Sequence, residues 1–251
     1  MGDLALRFLG VGNAGASPAL GCAAAVLERD GEPLLLIDCG WDTLSAFEAQ
    51  YGGMPTALFL THAHLDHTGG LENLFFRAYL DPALRDRVRL FLPVWLVTLI
   101  HQRFATYPGM LAEGGANFWD AFRLIPVSDG FCHQGLDFQV FPGCHHQFLS
   151  AFGLSLPGMF FYSGDTRPIP GQVARFAPRD EAIFHDVAAI GNPSHSGVVE
   201  ILASYCPDQQ RRLIAYHYES PEAARQITAS GLRVARRGEV FSFTSAEVGA
   251  R

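Results

Sequence analysis

The chain has 251 residues, of which 49% are hydrophobic and 17% are charged, and this composition is typical of an ordered globular protein. Its net charge of −7 counts against a protein that grips long nucleic acid, because such proteins usually present a basic face. A short or cyclic phosphate ester remains compatible, since bound metal ions supply positive charge locally. We expect one domain over residues 1–251.

The cysteines and the first residues indicate the cellular compartment in which the protein works. The five cysteines are scattered and odd in number, which favours free thiols in a reducing environment over a disulfide framework. The opening segment Met1–Phe8 includes Asp3 and Arg7 and lacks the apolar core of a secretory leader. No apolar run reaches membrane-spanning length. We therefore predict a cytoplasmic protein without a membrane partner.

The first third of the chain reads as strands around one helix. Apolar patterns predict strands at 4–9, 23–28, 33–37 and 57–60, and a helix over 43–50 that ends at Gly52-Gly53. The glycine-rich turn at 10–15 could suggest a nucleotide cradle, but no convincing helix follows it. We interpret this turn as a loop near the site.

The densest group of polar residues follows the fourth predicted strand, in the segment Thr61–Gly70. His62 and His64 are spaced i, i+2, so both imidazoles project to one side of an extended segment. Asp66 and His67 are adjacent, so their side chains must point away from the side that His62 and His64 share, and a second metal ion could bind them there. Imidazole and carboxylate suit zinc and similar first-row metals. The segment therefore predicts a metal site, whereas an ordinary histidine-rich surface loop is a poor explanation of four candidate ligands.

The middle of the chain is rich in aromatic residues. We predict a helix over 71–80, a strand over 89–92 and a helix over 94–104. The segment 93–126 then carries Phe104, Tyr107, Met110, Phe118, Trp119 and Phe122. It could cover the site as a lid or pocket wall, or it could serve ordinary packing or a subunit contact. His101 and His133 have no partner in the sequence and are interpreted as structural.

Further candidate ligands follow the later strands. Strands are predicted at 135–141, 153–156, 159–162, 182–184 and 212–216, with a helix at 198–204. The polar residues that follow these strands or precede this helix are His145, His146, Asp165, Asp186, His195 and His217. Nothing in the spacing alone distinguishes His145 from His146.

The pattern His62-x-His64-x-Asp66-His67 followed by Thr-Gly-Gly resembles the metallo-β-lactamase superfamily. The resemblance covers the chain from Leu4 to about Ser220. It implies an α/β fold, a four-layer αββα sandwich, and two divalent metal ions. Zinc is the metal that we expect, with manganese or iron left open.

The resemblance also implies which residues bind the metals. One ion would be held by His62, His64 and His146, the other by Asp66, His67 and His217, with Asp165 bridging both and Asp38 orienting the metal loop. His146 is favoured by the short spacer before Phe152-Gly153, although His145 remains possible. A carboxylate suits the bridging place because its two oxygens can bind two ions at once.

Two residues point to the tRNase Z-like branch of the superfamily. Asp186 after a strand and His195 at a helix start resemble a pair that assists proton transfer there. The branch usually has His-Glu-Ala-Thr and His-Ser-Thr, whereas this chain has Asp186 in place of the glutamate and Ser196-Gly197 in place of Ser-Thr. The alternative is that His195 only caps the helix.

These residues imply hydrolysis of a phosphodiester. Two ions would share a hydroxide as nucleophile, Asp66 would also steer it, and His195, polarised by Asp186, would protonate the leaving oxygen. The short spacer between His146 and Asp165 leaves no room for a long tRNA-gripping arm, so we expect a small or cyclic phosphodiester.

Other functions of the fold stay open. A lactone, thioester or sulfate-ester hydrolase would barely respond to His195→Ala, and a non-catalytic metal-bound sensor would not turn over at all. A homodimer is expected by resemblance only.

Overall fold

The computed structural model describes residues 2–105, 109–111 and 114–243. Its strands form two seven-stranded sheets and one two-stranded hairpin. The strands are β1 Leu4–Gly10, β2 Ala24–Arg29, β3 Glu32–Ile37, β4 Ala57–Phe59, β5 Val88–Pro93, β6 Gly109–Leu111, β7 Gly114–Ala116, β8 Phe122–Val127, β9 Gly130–His133, β10 Leu136–Pro142, β11 Phe152–Leu156, β12 Phe160–Tyr162, β13 Ala182–Asp186, β14 Leu213–Tyr216, β15 Arg233–Val234 and β16 Val240–Phe243.

The helices are short and lie between the strands. They are α1 Thr43–Tyr51, α2 Leu65–Thr68, α3 Leu71–Leu80, α4 Val97–Ile100, α5 Pro170–Phe176, α6 Val198–Ser204, α7 Pro207–Arg212 and α8 Pro221–Ala229. Turns of 3₁₀-helix cover Val94–Leu96 and Phe118–Asp120, and a turn of π-helix covers His101–Ala105. None of the helices in the described ranges is long and apolar enough to cross a bilayer.

Each large sheet is half parallel and half antiparallel. The first has the order β16-β1-β2-β3-β4-β5-β8 and is parallel from β3 to β8. The second has the order β15-β14-β13-β12-β11-β10-β9 and is parallel from β12 to β15. Because parallel strands end on the same edge, the loops after β4, β12, β13 and β14 are brought to one side of the fold.

The two sheets pack face to face through aromatic side chains. Phe8 on β1 lies 5.3 Å from the ring of Phe184 and 5.7 Å from that of Tyr216, both on the opposite sheet. Helix α1 contacts β1, α7 contacts β13, and α8 contacts β15. The two mixed sheets with their helices form the predicted α/β sandwich.

The predicted range 94–104 is helical, but the hydrogen-bonding pattern changes along it, so it is not one regular α-helix. The chain forms a tight turn at Val94–Leu96, one α-helical turn at Val97–Ile100 and a wide turn at His101–Ala105. Several residues of this stretch are β-branched, which lowers helix propensity because the side chain loses rotamer freedom against the preceding turn.

Phe104, Phe118 and Phe122 of segment 93–126 pack in or against the core, whereas Trp95 is exposed. Phe118 is buried and stacks on Phe104 and on Phe75 of α3, with ring centroids 5.6 Å and 6.2 Å apart. Tyr107 and the side chain of Met110 lie outside what the structure describes. Ordinary packing therefore accounts for Phe104 and Phe118, while a lid role for the segment stays a prediction.

Candidate active site

The candidate ligands lie in the loops after the strands of both sheets. His62 follows β4, His145 follows β10, Asp165 follows β12 and His217 follows β14. Helix α2 is a single turn, and it carries Asp66 and His67 from the same loop as His62. The parallel strands thus bring residues that are far apart in sequence to one edge of the sandwich.

A first group of possible metal ligands consists of His62, His64, His145 and Asp165. One ligand atom from each lies within 4.8 Å of all the others. His62 Nε2 is 3.5 Å from Asp165 Oδ2, and His145 Nε2 is 3.4 Å from His64 Nδ1. These distances fit donors that surround one ion, since neighbouring ligands of an ion bound at about 2 Å lie roughly 3–4 Å apart.

A second group of possible ligands consists of Asp66, His67, Asp165 and His217, all buried. His67 Nε2 is 3.4 Å from Asp66 Oδ2, 3.4 Å from Asp165 Oδ1 and 3.3 Å from His217 Nε2. Asp165 belongs to both groups. Its Oδ1 approaches His67, and its Oδ2 lies 3.5 Å from His62 Nε2 and 3.3 Å from His217 Nε2, so the carboxylate lies between the two groups.

The unpaired atoms of this cluster test whether metal ions fit it. His62 Nε2 and Asp165 Oδ1 are fully buried and have no hydrogen-bond partner among the described residues. A buried polar atom without a partner is rare, because its desolvation is not compensated. Imidazole nitrogens and carboxylate oxygens are the ligands of zinc and similar metals, so the residues present fit two such ions.

Asp38 and Thr61 orient His67 and His62 through contacts to the Nδ1 atoms of their rings. Asp38 is buried, and its Oδ2 lies 2.8 Å from His67 Nδ1 and accepts a 2.8 Å hydrogen bond from the Thr61 hydroxyl. The same hydroxyl is 3.0 Å from His62 Nδ1. If the two Nδ1 atoms carry the protons, both Nε2 lone pairs face the cluster, as metal binding requires.

Asp186 joins two histidines through its two carboxylate oxygens. Oδ1 lies 3.3 Å from His217 Nδ1, and Oδ2 lies 2.8 Å from His195 Nδ1. Oδ2 also accepts the backbone N–H of Thr166 at 2.9 Å. The structure therefore brings Asp186 and His195 together, and His195 Nδ1 is 4.0 Å from Asp165 Oδ2.

The electrostatics of the site are set by its buried carboxylates. Burial lowers the pKa of His195, but the contacts with Asp186 and the charge of Asp165 outweigh it and raise the pKa above its ordinary value. Burial likewise opposes the charge on His217, and the carboxylates of Asp165 and Asp186 still raise its pKa to about 10. His217 therefore retains a proton when no ion is bound, and a metal ion must displace it, whereas burial lowers the pKa of His62, His64 and His145 and favours their neutral, ligating form.

The structure places His145, and not His146, in the ligand cluster. His145 is buried, its Nδ1 lies 2.9 Å from the carbonyl oxygen of Ser194, and its Nε2 faces His64. His146 is exposed. The spacer predicted His146, whereas the structure brings His145 to the other possible ligands, where the Ser194 carbonyl contacts its Nδ1, a contact that spacer length does not report.

Sequence reasoning missed several supporting groups. The glycine-rich loop was expected near the site, and the carbonyl of Val11 within it accepts the N–H of His217 at 2.8 Å. Thr61 and the Ser194 carbonyl, which hold two histidines, were not identified. Ser194 is adjacent to His195, but no pattern in the sequence reports what a backbone carbonyl contacts.

The chain matches the model of one protein family over nearly its whole length. The model of the anti-Pycsar protein Apyc1 family matches residues 4–241. The chain belongs to the Apyc1 family. One relative, an anti-Pycsar protein Apyc1 from Saccharibacillus brassicae, is 30% identical over 221 residues, which cover 85% of this chain and 89% of that protein.

Solved structures similar to this Apyc1-family protein share its fold. The metallo-β-lactamase fold protein YhfI from Bacillus subtilis has a TM-score of 0.73 at 12% identity and covers 96% of this chain and 100% of that one. The short form of human tRNase Z has a TM-score of 0.63 at 21% identity, with coverage of 96% and 99%. The predicted metallo-β-lactamase fold is confirmed, and a tRNase Z is among the solved structures that share it. Family membership also confirms the prediction of a metal-dependent, phosphodiesterase-like hydrolase.

Proposed function

We propose that this protein hydrolyses the phosphodiester of a cyclic nucleotide at a site for two divalent metal ions. The observation that carries the proposal is the pair of ligand groups that share Asp165, placed next to the Asp186–His195 pair. Membership of the Apyc1 family supports a cyclic-nucleotide substrate. The small, enclosed cluster and the acidic chain support a small substrate over long nucleic acid.

The residues divide into two metal sites and one proton donor. His62, His64 and His145 would hold one ion, Asp66, His67 and His217 the other, and Asp165 both. Zinc is the metal we propose. Bound ions of this kind stabilise charge on phosphoryl oxygens and lower the pKa of bound water. Asp66, which is buried next to His67 and His217, also helps to orient the attacking water.

His195 supplies the proton that the leaving oxygen takes up. Water attacks phosphorus and releases one proton, one P–O ester bond breaks, the leaving oxygen takes a proton from His195 Nε2, and solvent returns a proton to His195, so the hydrolysis is proton-neutral. Asp186 accepts from His195 Nδ1 and so keeps the ring oriented, and the same carboxylate raises the pKa of His195 and favours the protonated ring. A general acid of this kind matters most for an alkoxide leaving group, as in a cyclic nucleotide.

The test is turnover of cyclic nucleotides by protein loaded with zinc, in parallel with bis-p-nitrophenyl phosphate. We expect hydrolysis of at least one cyclic nucleotide to the monophosphate, and we expect Asp165→Asn to lose turnover of every diester. Exposed Asp137→Asn on β10 is the matched control and should retain full activity.

Three results would contradict the proposal. The first is that protein with two ions bound turns over no diester, which would favour a lactone or thioester hydrolase. The second is that the chain binds fewer than two ions. The third is that Asp165→Asn keeps full activity. Loading with manganese or iron in parallel tests the choice of zinc. The free cysteines fit the cytoplasmic location that we infer, and a homodimer stays a prediction.

A further inference from the structure

In the part of the chain that the structure describes, solvent reaches the ligand cluster unevenly. His62, Asp165 and His217 are 1%, 1% and 2% exposed, so water does not reach the cluster past them. His64 is half-buried, and the side chain of His195 is 21% exposed. A substrate therefore enters on the side where His64 and His195 lie.

His146 lies on this open side. Its ring is exposed, with its centroid 4.0 Å from the ring of His145 and 4.9 Å from that of His64. His195 lies on His145 as well, at 4.7 Å and edge-on. His146 and His195 therefore both border the one buried ligand that lies next to the entrance.

Ser194 fixes His146 in this position. The Ser194 hydroxyl is 2.8 Å from His146 Nδ1, while the Ser194 carbonyl contacts His145 Nδ1 at 2.9 Å. The backbone N–H of Ser194 donates to the side chain of Asn192 at 2.8 Å, which holds this loop in turn. His146 Nε2 makes no hydrogen bond within the part of the chain that the structure describes.

We propose that His146 is a substrate-binding residue whose Nε2–H donates to a phosphoryl oxygen that the metal ions leave free. Ser194 is its positioning residue, because a hydroxyl that donates to Nδ1 leaves the proton on Nε2. The inference rests on the proposed function and adds a specific contact to it. It explains two adjacent histidines after β10, one for a metal and one for the substrate.

The experiment compares His146→Phe and His146→Gln with the wild type. Phenylalanine retains a ring of similar size without a donor, and glutamine restores a donor. We expect His146→Phe to keep two zinc ions by elemental analysis, to raise KM for the cyclic nucleotide by about tenfold to a hundredfold, and to weaken AMP binding by a similar factor in calorimetry. The kcat should change much less, and His146→Gln should recover part of the loss.

The matched variants separate the possible outcomes. His145→Gln should lose one zinc ion, and Ser194→Ala should raise KM by about threefold to tenfold with both ions retained. An unchanged KM and AMP affinity in His146→Phe, or the loss of an ion from it, would overturn the inference. If the wild type hydrolyses no diester but His146→Phe still weakens AMP binding, the proposed function fails and the role of His146 stands.

Discussion

At the scale of single residues, four of the five ligand imidazoles are held by a contact to Nδ1, the ring nitrogen that does not serve as ligand. The pairs are His62 with Thr61, His67 with Asp38, His145 with the Ser194 carbonyl, and His217 with Asp186. Such partners select the tautomer and the ring orientation, which raises metal affinity. The partner of each ligand is as important to the site as the ligand itself.

His195→Gln separates the role of a proton donor from a structural role. We expect kcat for a cyclic nucleotide to fall by about a hundredfold to ten-thousandfold, because an alkoxide leaves poorly without a proton. Turnover of bis-p-nitrophenyl phosphate should change by less than about threefold, since p-nitrophenolate leaves unprotonated. The measurement is steady-state kinetics on both substrates. Equal losses on both would show that His195 acts in some other way.

His133 is a structural histidine whose surroundings exclude its charged form. Burial lowers its pKa, and Arg89 lies 3.4 Å from its Nδ1, while its Nε2–H donates to the Leu34 carbonyl. Unfolded His133 binds a proton near pH 6.5, and the folded state excludes that proton to lower pH. This histidine therefore makes stability fall as the pH drops below about 6.5.

We expect His133→Gln to reduce this pH dependence. The free energy of unfolding of the wild type should fall more steeply than that of the variant between about pH 7.5 and about pH 5.5. Urea unfolding at several pH values measures both curves. Parallel curves would show that His133 does not contribute to the pH dependence.

At the scale of elements, the loop after β3 clamps the metal-binding loop. The Cys39 N–H donates to the His67 carbonyl at 2.7 Å, and the Gly70 N–H donates to the Cys39 carbonyl at 2.9 Å. A Cβ on Gly40 would lie 2.2 Å from the carbonyl oxygen of Asp66. Only glycine allows so close an approach of the two backbones.

Gly40→Ala should therefore disturb both stability and metal binding. We expect the free energy of unfolding to fall by about 1–3 kcal/mol, since the backbones must separate to admit the methyl group, and zinc affinity to weaken. The control is Gly53→Ala, where a Cβ meets nothing within 4 Å. Calorimetric unfolding and zinc titration measure the two effects. Equal behaviour of the two variants would contradict the clamp.

At the scale of the whole molecule, the site exists only where the two sheets meet. His62, His64, Asp66 and His67 come from the first sheet, whereas His145, Asp165 and His217 come from the second. Ions that bind both sets bind the folded state and not the unfolded chain. Metal binding should therefore stabilise the packing of the sheets.

Removal of metal should lower the unfolding temperature of the whole chain. We expect one cooperative transition with and without a chelator, as a single domain over residues 1–251 predicts. Free zinc at a hundred times its Kd should stabilise the wild type by about 2.7 kcal/mol for each ion bound. Asp165→Asn should lose most of this effect and exposed Asp137→Asn none of it. Two separate transitions in calorimetry would contradict the single domain.

Local sequence determined much of this protein. The apolar runs predicted most central strands to within one or two residues, because buried parallel strands are apolar throughout. The segment Thr61–Gly70 predicted a metal site, since its ligands are close in sequence. The edge strand β16 was not predicted, because a short strand with one exposed face carries a weak pattern.

Only the tertiary structure decided which distant groups meet. It selected His145 over His146, joined Asp186 to both His195 and His217, and placed Ser194 behind two histidines. It also holds Asp38 and His217 at positive φ, where neighbouring backbone fixes them. Side-chain direction at a strand end depends on the turn that follows and on the opposite sheet. Neither is encoded in local periodicity, so the ligands could be listed from sequence while their arrangement could not.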